Sequence, residues 1–277
     1  MRYLMCPPDY FRVEYAINPW MRPETCSVDS RRARAEWSRL RDVMEIVAEV
    51  ELLAPSADLP DMVFTANSGF VLGNSVLLAR YRHPERRGEV PHVRRYFSDR
   101  GYTIHELPAE VCFEGTGDAI LDRGGEWIWA GHGFRSDPDA HDVLARCFQL
   151  DVVSLHLIDA RFYHLDTCLA PLTGGYLMYY PGAFDAPSLS AIEDRVPSER
   201  RIVVDEADAA TFACNAVNVG KTIIAHALSA GLRERLLRIG FSVEVIPLDE
   251  FVKAGGAAFC MMLRLEDERN RPARVKR

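Results

Sequence analysis

Paired cysteines, long hydrophobic runs and an excess of positive charge are all missing from this chain. Its seven cysteines include no CxxC pair and no His/Cys spacing typical of zinc, so neither a disulfide framework nor a zinc finger is expected. No apolar run approaches the length of a membrane span, and the first residues lack the hydrophobic segment of a secretory signal. We therefore expect a cytoplasmic protein with reduced thiols.

The charge balance is acidic, with a formal net charge of −7 and a pI of about 5.7. This argues against a nucleic-acid partner, and the missing apolar runs argue against a membrane partner. A hydrophobic content of 48% over 277 residues permits a substantial core. Because no linker divides the chain, we expect one domain over residues 1–265 and a charged C-terminal tail over residues 266–277 that frays. A homo-oligomer is left open.

A repeat of about fifty residues organises the sequence. Four predicted β-hairpins have turns at Gly73, Gly124, Gly174 and Gly220, and a predicted helix and strand follow each of them. A longer helix is predicted over residues 30–53 from apolar residues at helical spacing. The final strand, residues 259–265, has no hairpin partner after it, so we expect the N-terminal strand to pair with it and close a ring. The fold class is therefore α/β, with about five modules around an axis.

Each module begins with a loop, and these loops carry an unusual set of polar residues. The set comprises Asn67, Glu114 with Asp118, His164 with Asp166, and Cys260. Taken singly, such residues are ordinary: a Cys beside Phe and Met is usually core, and Gly/Asp/Glu clusters are common in turns. At matched positions of a repeat, however, a thiol, an imidazole and carboxylates meet at one end of the molecule. The pattern indicates covalent catalysis.

Several of these segments together resemble the signature blocks of the guanidino-group-modifying enzymes. This superfamily includes arginine deiminases, dimethylarginine hydrolases and glycine amidinotransferases. The matching segments are Phe64-Thr65-Ala66-Asn67, Glu114-Gly115-Thr116-Gly117-Asp118, His164-Leu165-Asp166-Thr167 and Cys260-Met261. The resemblance implies a pseudo-fivefold αβ propeller (pentein), in agreement with the repeat. The segments 5–11 and 18–21 look closest to the arginine dihydrolases, a branch sometimes fused to an ornithine cyclodeaminase-like domain, for which this length leaves no room.

The resemblance also implies roles for individual residues. Cys260 would be the nucleophile, His164 the general acid and base, and Glu114 the residue that orients the imidazole. A thiolate suits this chemistry because the guanidinium carbon yields only to a strong nucleophile. We expect the cationic substrate and His164 to favour the thiolate by lowering the pKa of Cys260. The substrate-binding residues implied are Asn67, Asp166, Arg86, Arg135, Asn18, Asp118, Phe64 and Asp61. Arg86 and Arg135 are matched to the substrate α-carboxylate and Asp166 to its guanidinium. The chemistry requires no metal or organic cofactor.

Asn67 is the residue at which this chain departs from the deiminases and the dimethylarginine hydrolases. This difference decides which reaction we expect. Deiminases and dimethylarginine hydrolases usually carry Asp at this position, whereas arginine dihydrolases resemble this chain in carrying Asn. An amide is neutral and is able to donate to the oxygen of a ureido group. We therefore expect a citrulline-like intermediate to be held and hydrolysed again, giving ornithine, ammonia and carbon dioxide from free L-arginine.

Other functions stay open at this point. On the same fold these are an arginine deiminase that releases citrulline, a dimethylarginine dimethylaminohydrolase, and an amidinotransferase. An arginine-binding sensor is the main non-enzyme alternative, although sensors commonly lose the nucleophile, base or acid that this chain retains. A zinc hydrolase is disfavoured because no pair such as HxxxH is present.

Overall fold

The predicted repeat is present as a set of short strands and helices. The computed structural model describes residues 1–265, and the predicted tail at residues 266–277 lies outside them. In chain order the strands are β1 Arg2–Met5, β2 Glu49–Leu52, β3 Gly69–Leu72, β4 Ser75–Leu78, β5 Thr103–His105, β6 Ala119–Leu121, β7 Trp127–His132, β8 Asp151–His156, β9 Leu169–Leu172, β10 Tyr176–Tyr179, β11 Arg201–Val203, β12 Val217–Val219, β13 Thr222–Ala225, β14 Ser242–Val245 and β15 Leu263–Leu265. The helices are α1 Ser30–Val47, α2 Pro84–Arg87, α3 Glu89–Ser98, α4 Asp139–Phe148, α5 Ala186–Arg195, α6 Glu206–Ala210, α7 Ala230–Ile239 and α8 Asp249–Val252.

The strands of residues 1–265 form five three-stranded sheets with one shared pattern. In each sheet the middle strand pairs antiparallel with one neighbour and parallel with the other. A helix always connects the middle strand to its parallel neighbour, because parallel strands need a crossover connection. The strand orders are β3-β4-β5, β6-β7-β8, β9-β10-β11, β12-β13-β14 and β15-β1-β2. The chain is thus a mixed α/β protein built from small sheets.

The fifth sheet combines the two ends of the described chain. β15 pairs antiparallel with β1, with Leu4 opposite Leu263 and Arg2 opposite Leu265, and β2 then pairs parallel with β1. The predicted pairing of the N-terminal strand with the last strand is confirmed. One module is therefore split between the beginning and the end of the sequence, and α1 takes the place of its connecting helix.

The prediction for the first helix was too long. α1 begins after Asp29, whose carboxylate accepts hydrogen bonds from the N–H groups of Arg31 and Arg32, and it ends at Val47. Residues 49–52 form β2 instead of continuing the helix. Their alternation, Glu49-Val50-Glu51-Leu52, suits an edge strand, and pairing with β1 outweighs the helix propensity of glutamate. The last strand was also predicted too early, since residues 259–262 form a turn before β15.

Apolar side chains fill the space between the sheets and the helices that cover them. The predicted apolar face of α1 is buried at Ala33, Trp37, Leu40 and Met44, where it packs in one cluster with Cys260. No helix within residues 1–265 combines the length and the apolar composition that crossing a bilayer requires.

Candidate active site

The loops that precede β3, β6, β9, β12 and β15 are joined to one another by hydrogen bonds. Each loop contacts the next one along the chain, and the fifth contacts the first. The five links are Thr116 Oγ1 to Ala66 O (2.7 Å), Leu165 N to Asp118 Oδ1 (3.0 Å), Asn215 Nδ2 to Asp166 O (3.0 Å), Cys260 N to Asn215 Oδ1 (3.2 Å) and Ala66 N to Cys260 O (3.0 Å). This ring of loops brings the predicted site residues together.

Cys260 is buried, and its sulfur lies between a carboxylate and an amide. The thiol donates to Asp166 Oδ2 at 3.1 Å, and Asn215 Nδ2 donates to the sulfur at 3.1 Å. Burial, together with the charge of Asp166, raises the pKa of Cys260 well above its ordinary value. The expected lowering of this pKa by the cationic substrate together with His164 stays a prediction. Asp166 lies beside the thiol and dominates its charge environment.

Asp166 is itself an unusual carboxyl group. Burial raises the pKa of Asp166 to about 7, against the opposing charge of His164. Its second oxygen, Oδ1, has no hydrogen-bond partner among the described residues, and the same is true of Asp61 Oδ1. Both residues are almost fully buried. An unpartnered buried carboxylate oxygen costs free energy, so these two atoms are suited to receive the N–H groups of a cation.

His164 is held by an acid on one side. Its Nε2 lies 2.8 Å from Glu114 Oε2, and the same oxygen accepts from Arg135 Nη1 at 2.8 Å. Burial alone would raise the pKa of Glu114, but Arg135 and the hydrogen bond with His164 outweigh it and hold that pKa well below its ordinary value. Glu114 therefore stays ionised and accepts the proton on Nε2, so Nδ1 is the nitrogen that carries the lone pair in the neutral imidazole.

Asn67 lies on the opposite side of the imidazole, and a buried arginine fixes its orientation. Arg86 Nη1 donates to Asn67 Oδ1 at 2.7 Å, so the amide must point its NH₂ end the other way. That end, Nδ2, lies 3.5 Å from His164 Nδ1. Gly117 permits this approach, because an added Cβ there would collide with Asn67 Nδ2. The donor end of Asn67 therefore faces the imidazole of His164.

Both arginines predicted to bind an α-carboxylate already have protein partners. Arg86 pairs with Glu89 through Nε at 2.7 Å and Nη2 at 2.9 Å, in addition to Asn67.

Arg135 donates to Glu114 and to the carbonyl of Ile17, and its guanidinium lies 4.6 Å from the Tyr163 ring centroid. These contacts hold both cations rigidly in the wall of the site.

Asp118 and Asn18 support neighbouring loops. Asp118 Oδ2 accepts from Ser136 Oγ at 2.6 Å, while its Oδ1 accepts from the N–H of Leu165, next to His164. Asn18 Oδ1 accepts from Trp20 N, and its Nδ2 donates to the carbonyl of Ala254 at 3.0 Å. Asn18 thus ties the N-terminal loop to the segment that leads to Cys260.

One cavity connects the predicted residues. Seven of them line it: Asn18, Asp61, Phe64, Asn67, Arg86, Arg135 and Cys260. His164 and Asp166 contact this lining through Asn67 and Cys260, respectively. Gly255 lets the backbone approach, since its φ is +85° and an added Cβ would lie 2.8 Å from Asn18 Oδ1.

The sequence-based prediction missed Asn215. This fully buried residue contacts both Cys260 and the backbone of Asp166. The signal that identifies it is the repeat itself. Asn215 precedes the fourth hairpin, as Glu114 and His164 precede the second and third, about fifty residues apart.

The fold and the site together define a class of protein: a mixed α/β chain that assembles a buried thiol, an imidazole–carboxylate pair and unpartnered carboxylate oxygens around one cavity. The family model described as N,N dimethylarginine dimethylhydrolase, eukaryotic, matches residues 8–266. The chain belongs to this family.

Two individual relatives and one crystal structure are similar to this chain over most of its length. The chain is 52% identical over 267 residues to the bifunctional arginine dihydrolase/ornithine cyclodeaminase ArgZ of Synechocystis, covering 96% of this chain. It is 40% identical over 265 residues to the N(G),N(G)-dimethylarginine dimethylaminohydrolase of Mycobacterium tuberculosis, covering 95% of this chain and 85% of that protein. The crystal structure of the N-terminal domain of ArgZ, a Cys-to-Ser mutant bound to substrate, matches with a TM-score of 0.94 over 96% of this chain and 98% of that chain.

The chain covers only part of the length of its cyanobacterial relatives. The chain spans 38% of the length of ArgZ, and 38% of the similar bifunctional protein AgrE of Nostoc. The similarity therefore concerns the part of ArgZ that was crystallised as its N-terminal domain.

Proposed function

We propose that this chain is a cysteine-dependent hydrolase that converts free L-arginine to ornithine, ammonia and carbon dioxide. The observation that carries the proposal is the Asn67 amide, whose donor end is directed by Arg86 toward His164. The 52% identity to ArgZ supports the same reading, since ArgZ is described as an arginine dihydrolase. The seven free cysteines of the described residues support a cytoplasmic location.

We also propose that the five sheets are arranged around a pseudo-fivefold axis as one catalytic domain. The closed series of hydrogen bonds among the five loops supports this arrangement, as does the sheet shared by the chain ends. In such an arrangement the loops meet on the axis, where the cavity lies.

Asp166 and Asp61, the carboxylates with one unpartnered oxygen each, bind the cationic end of the substrate. The guanidinium of arginine donates to Asp166 and Asp61, and Arg86 and Arg135 lie in the same cavity wall to attract the α-carboxylate. A cation paired with Asp166 neutralises the charge that keeps the Cys260 thiol protonated. The pKa of Cys260 then falls, and the thiol ionises next to the carbon it attacks.

The first half-reaction releases one ammonia. The thiol proton passes to Nδ1 of His164, and the thiolate of Cys260 then bonds to the guanidinium carbon. His164 then gives this proton to a departing nitrogen, and the carbon–nitrogen bond breaks to release ammonia. A thiouronium cation remains on Cys260. Glu114 stabilises the imidazolium that exists between the two transfers.

The second half-reaction forms a ureido group that the site processes again. Nδ1 of His164 accepts a proton from water, and the hydroxyl bonds to the thiouronium carbon. The carbon–sulfur bond then breaks, His164 returns its proton to the sulfur, and the hydroxyl loses its proton to solvent as the carbonyl forms. The resulting citrulline is neutral, and its oxygen accepts a hydrogen bond from Asn67 Nδ2. A second attack by Cys260 expels the second ammonia. Hydrolysis of the thiocarbamate then gives a carbamate that breaks down to ornithine and carbon dioxide.

The direct test of substrate class compares L-arginine with asymmetric dimethylarginine. The proposal predicts a kcat/KM at least about a hundredfold higher for arginine, because dimethylation removes two of the N–H groups that the unpartnered oxygens of Asp166 and Asp61 are proposed to accept. The M. tuberculosis relative and the family model favour dimethylarginine as the second candidate. A preference for the dimethylated substrate would select that candidate.

Replacing Asn67 by Asp is expected to convert the products toward citrulline. An ionised carboxylate grips the guanidinium but has no N–H to donate to the ureido oxygen, so citrulline leaves before the second attack. Product analysis by mass spectrometry measures the change as a citrulline-to-ornithine ratio raised about tenfold or more. Asn74→Asp, a similar change at an exposed hairpin turn, is the matched control. An unchanged ratio in Asn67→Asp would contradict the role of Asn67.

The charge of Asp166 is expected to make Cys260 selective for cationic reagents. Chloroacetamidine is a cation and chloroacetamide is its neutral analogue. For each reagent, the rate of Cys260 labelling is divided by the rate at which the same reagent labels free cysteine. At about pH 7.5 the normalised rate for the amidine is predicted to be about tenfold or more higher, through a charge-assisted hydrogen bond to Asp166. With the neutral reagent, labelling rises only at alkaline pH because the pKa of Cys260 is raised.

Two variants complete this experiment. Asp166→Asn should remove most of the preference for the amidine, while Asp185→Asn, a change at a half-buried residue beside His156, should preserve it. The labelled peptide is identified by mass, so that the other six cysteines do not contribute. Equal normalised rates for the two reagents in the unmodified protein would remove Asp166 from the cation site.

A further inference from the structure

Asn215 makes hydrogen bonds with every polar atom of its side chain. Oδ1 accepts from three backbone N–H groups, those of Ala257 (3.1 Å), Phe259 (3.1 Å) and Cys260 (3.2 Å). Nδ2 donates to the carbonyl of Asp166 at 3.0 Å and to the sulfur of Cys260 at 3.1 Å. Because three donors converge on Oδ1, the amide cannot be turned around. The N–H group must therefore face the sulfur.

The backbone around Asn215 is strained in a way that fixes this geometry. Phe212 has a φ of 60°, which is rare for a bulky side chain. Its ring is fully buried and lies 4.7 Å from the Trp20 ring, and its carbonyl accepts from the N–H of Asn215 at 2.9 Å. Such strain persists only where the surrounding packing imposes it, and it is commonly found at functional sites.

The two neighbours of the sulfur have opposite effects on its ionisation. Asp166 accepts the thiol proton and so stabilises the neutral form, whereas an N–H donor stabilises the anion. Asn215 is the described side chain that donates to the sulfur, and its contribution lowers the pKa of Cys260. Once a cation occupies Asp166, the N–H of Asn215 remains to hold the thiolate.

We propose that Asn215 is a further catalytic residue: its amide positions the loop that carries Cys260 and stabilises the thiolate through an N–H···S⁻ hydrogen bond. This inference rests on the proposed function, in which Cys260 is the nucleophile. It assigns Asn215 to the step that forms the thiolate, before any carbon–sulfur bond exists. The same amide links Asp166 to Cys260, so it also sets the distance between the cation site and the nucleophile.

Asn215→Asp tests the proposal with little change of shape. The new carboxylate retains an oxygen for the three backbone N–H groups but has no N–H for the sulfur, and its charge opposes the thiolate. We expect the pH midpoint of Cys260 alkylation by chloroacetamide to move up by about one unit or more, so that labelling at about pH 8 slows about tenfold. With arginine, kcat should fall while KM changes little. Asn74→Asp should leave both unchanged.

The readout separates this inference from the proposed function. Alkylation is measured without arginine, so a shifted midpoint in a chain that fails to hydrolyse arginine would support Asn215 while rejecting the activity. An unshifted midpoint in a folded Asn215→Asp protein would overturn the inference. If that variant does not fold, the side-chain ¹⁵N–H signals of Asn215 in the original protein should titrate with the thiol. Signals that do not move at the alkylation midpoint would overturn it equally.

Discussion

Cys260→Ala is expected to abolish arginine turnover, with a loss on the order of 10⁴-fold to 10⁶-fold. No other group in the cavity is able to replace the sulfur, because the remaining side chains of its lining are amides, cations, an acid, apolar groups and a phenol that donates to the carbonyl of Gly255. The fold should be retained. Asn215 Nδ2 keeps the carbonyl of Asp166, whereas Asp166 Oδ2 loses the thiol as its donor, so the free energy of unfolding should fall by about 1–3 kcal/mol.

The matched control is Cys26→Ala, which changes a partly exposed thiol elsewhere on the chain. It should preserve activity within about twofold. Arginine binding by Cys260→Ala, measured by calorimetry, should persist because Asp61, Asp166 and the two arginines remain. Residual turnover above about one per cent of the original rate, in protein free of contaminating enzyme, would exclude Cys260 as the nucleophile.

His164→Ala is expected to lower kcat by about 10²-fold to 10⁴-fold. The imidazole serves both half-reactions, since it protonates the departing nitrogen and deprotonates the water. The loss should fall on kcat rather than KM, because the acids and cations that bind arginine are retained. Glu114 keeps its ion pair with Arg135 at 2.8 Å, so the buried carboxylate is not left without a partner.

The division of the loss between kcat and KM distinguishes this role from a structural one. A catalytic imidazole acts on bound arginine, so a raised KM with kcat retained would indicate a structural role. His156→Ala provides the control, since His156 is exposed, pairs with Asp185 and lies outside the cavity. A His164→Ala variant with kcat within tenfold of the original would contradict the assignment.

Much of the fold was predictable because the fifty-residue repeat specifies the order of hairpin, helix and strand in each module. Gly73, Gly174 and Gly220 mark hairpin turns where positive φ is required, and each is found there with a positive φ. The same period placed Glu114 and His164 at equivalent loops, and these side chains meet. Local patterning failed at residues 49–52, where four residues are too few to separate a helix end from an edge strand.

The electrostatics of the site were not predictable from residue order. The ionisation of Cys260 depends on a carboxylate 94 positions away and on complete burial, and neither is visible in the sequence. Arg86 looked like a substrate contact, yet its orientation of Asn67 became apparent only in three dimensions. Asn215 was overlooked because a single asparagine beside a strand is an ordinary turn residue.

The ratio of ammonia to ornithine tests the central claim most directly. The purified chain is incubated with L-arginine labelled with ¹³C at the guanidino carbon, and ammonia, ornithine, citrulline and labelled carbon dioxide are quantified together. The proposed chemistry predicts two ammonia molecules and one labelled carbon dioxide for each ornithine, without net citrulline. One ammonia for each arginine consumed, with all of the label retained in citrulline, would contradict it.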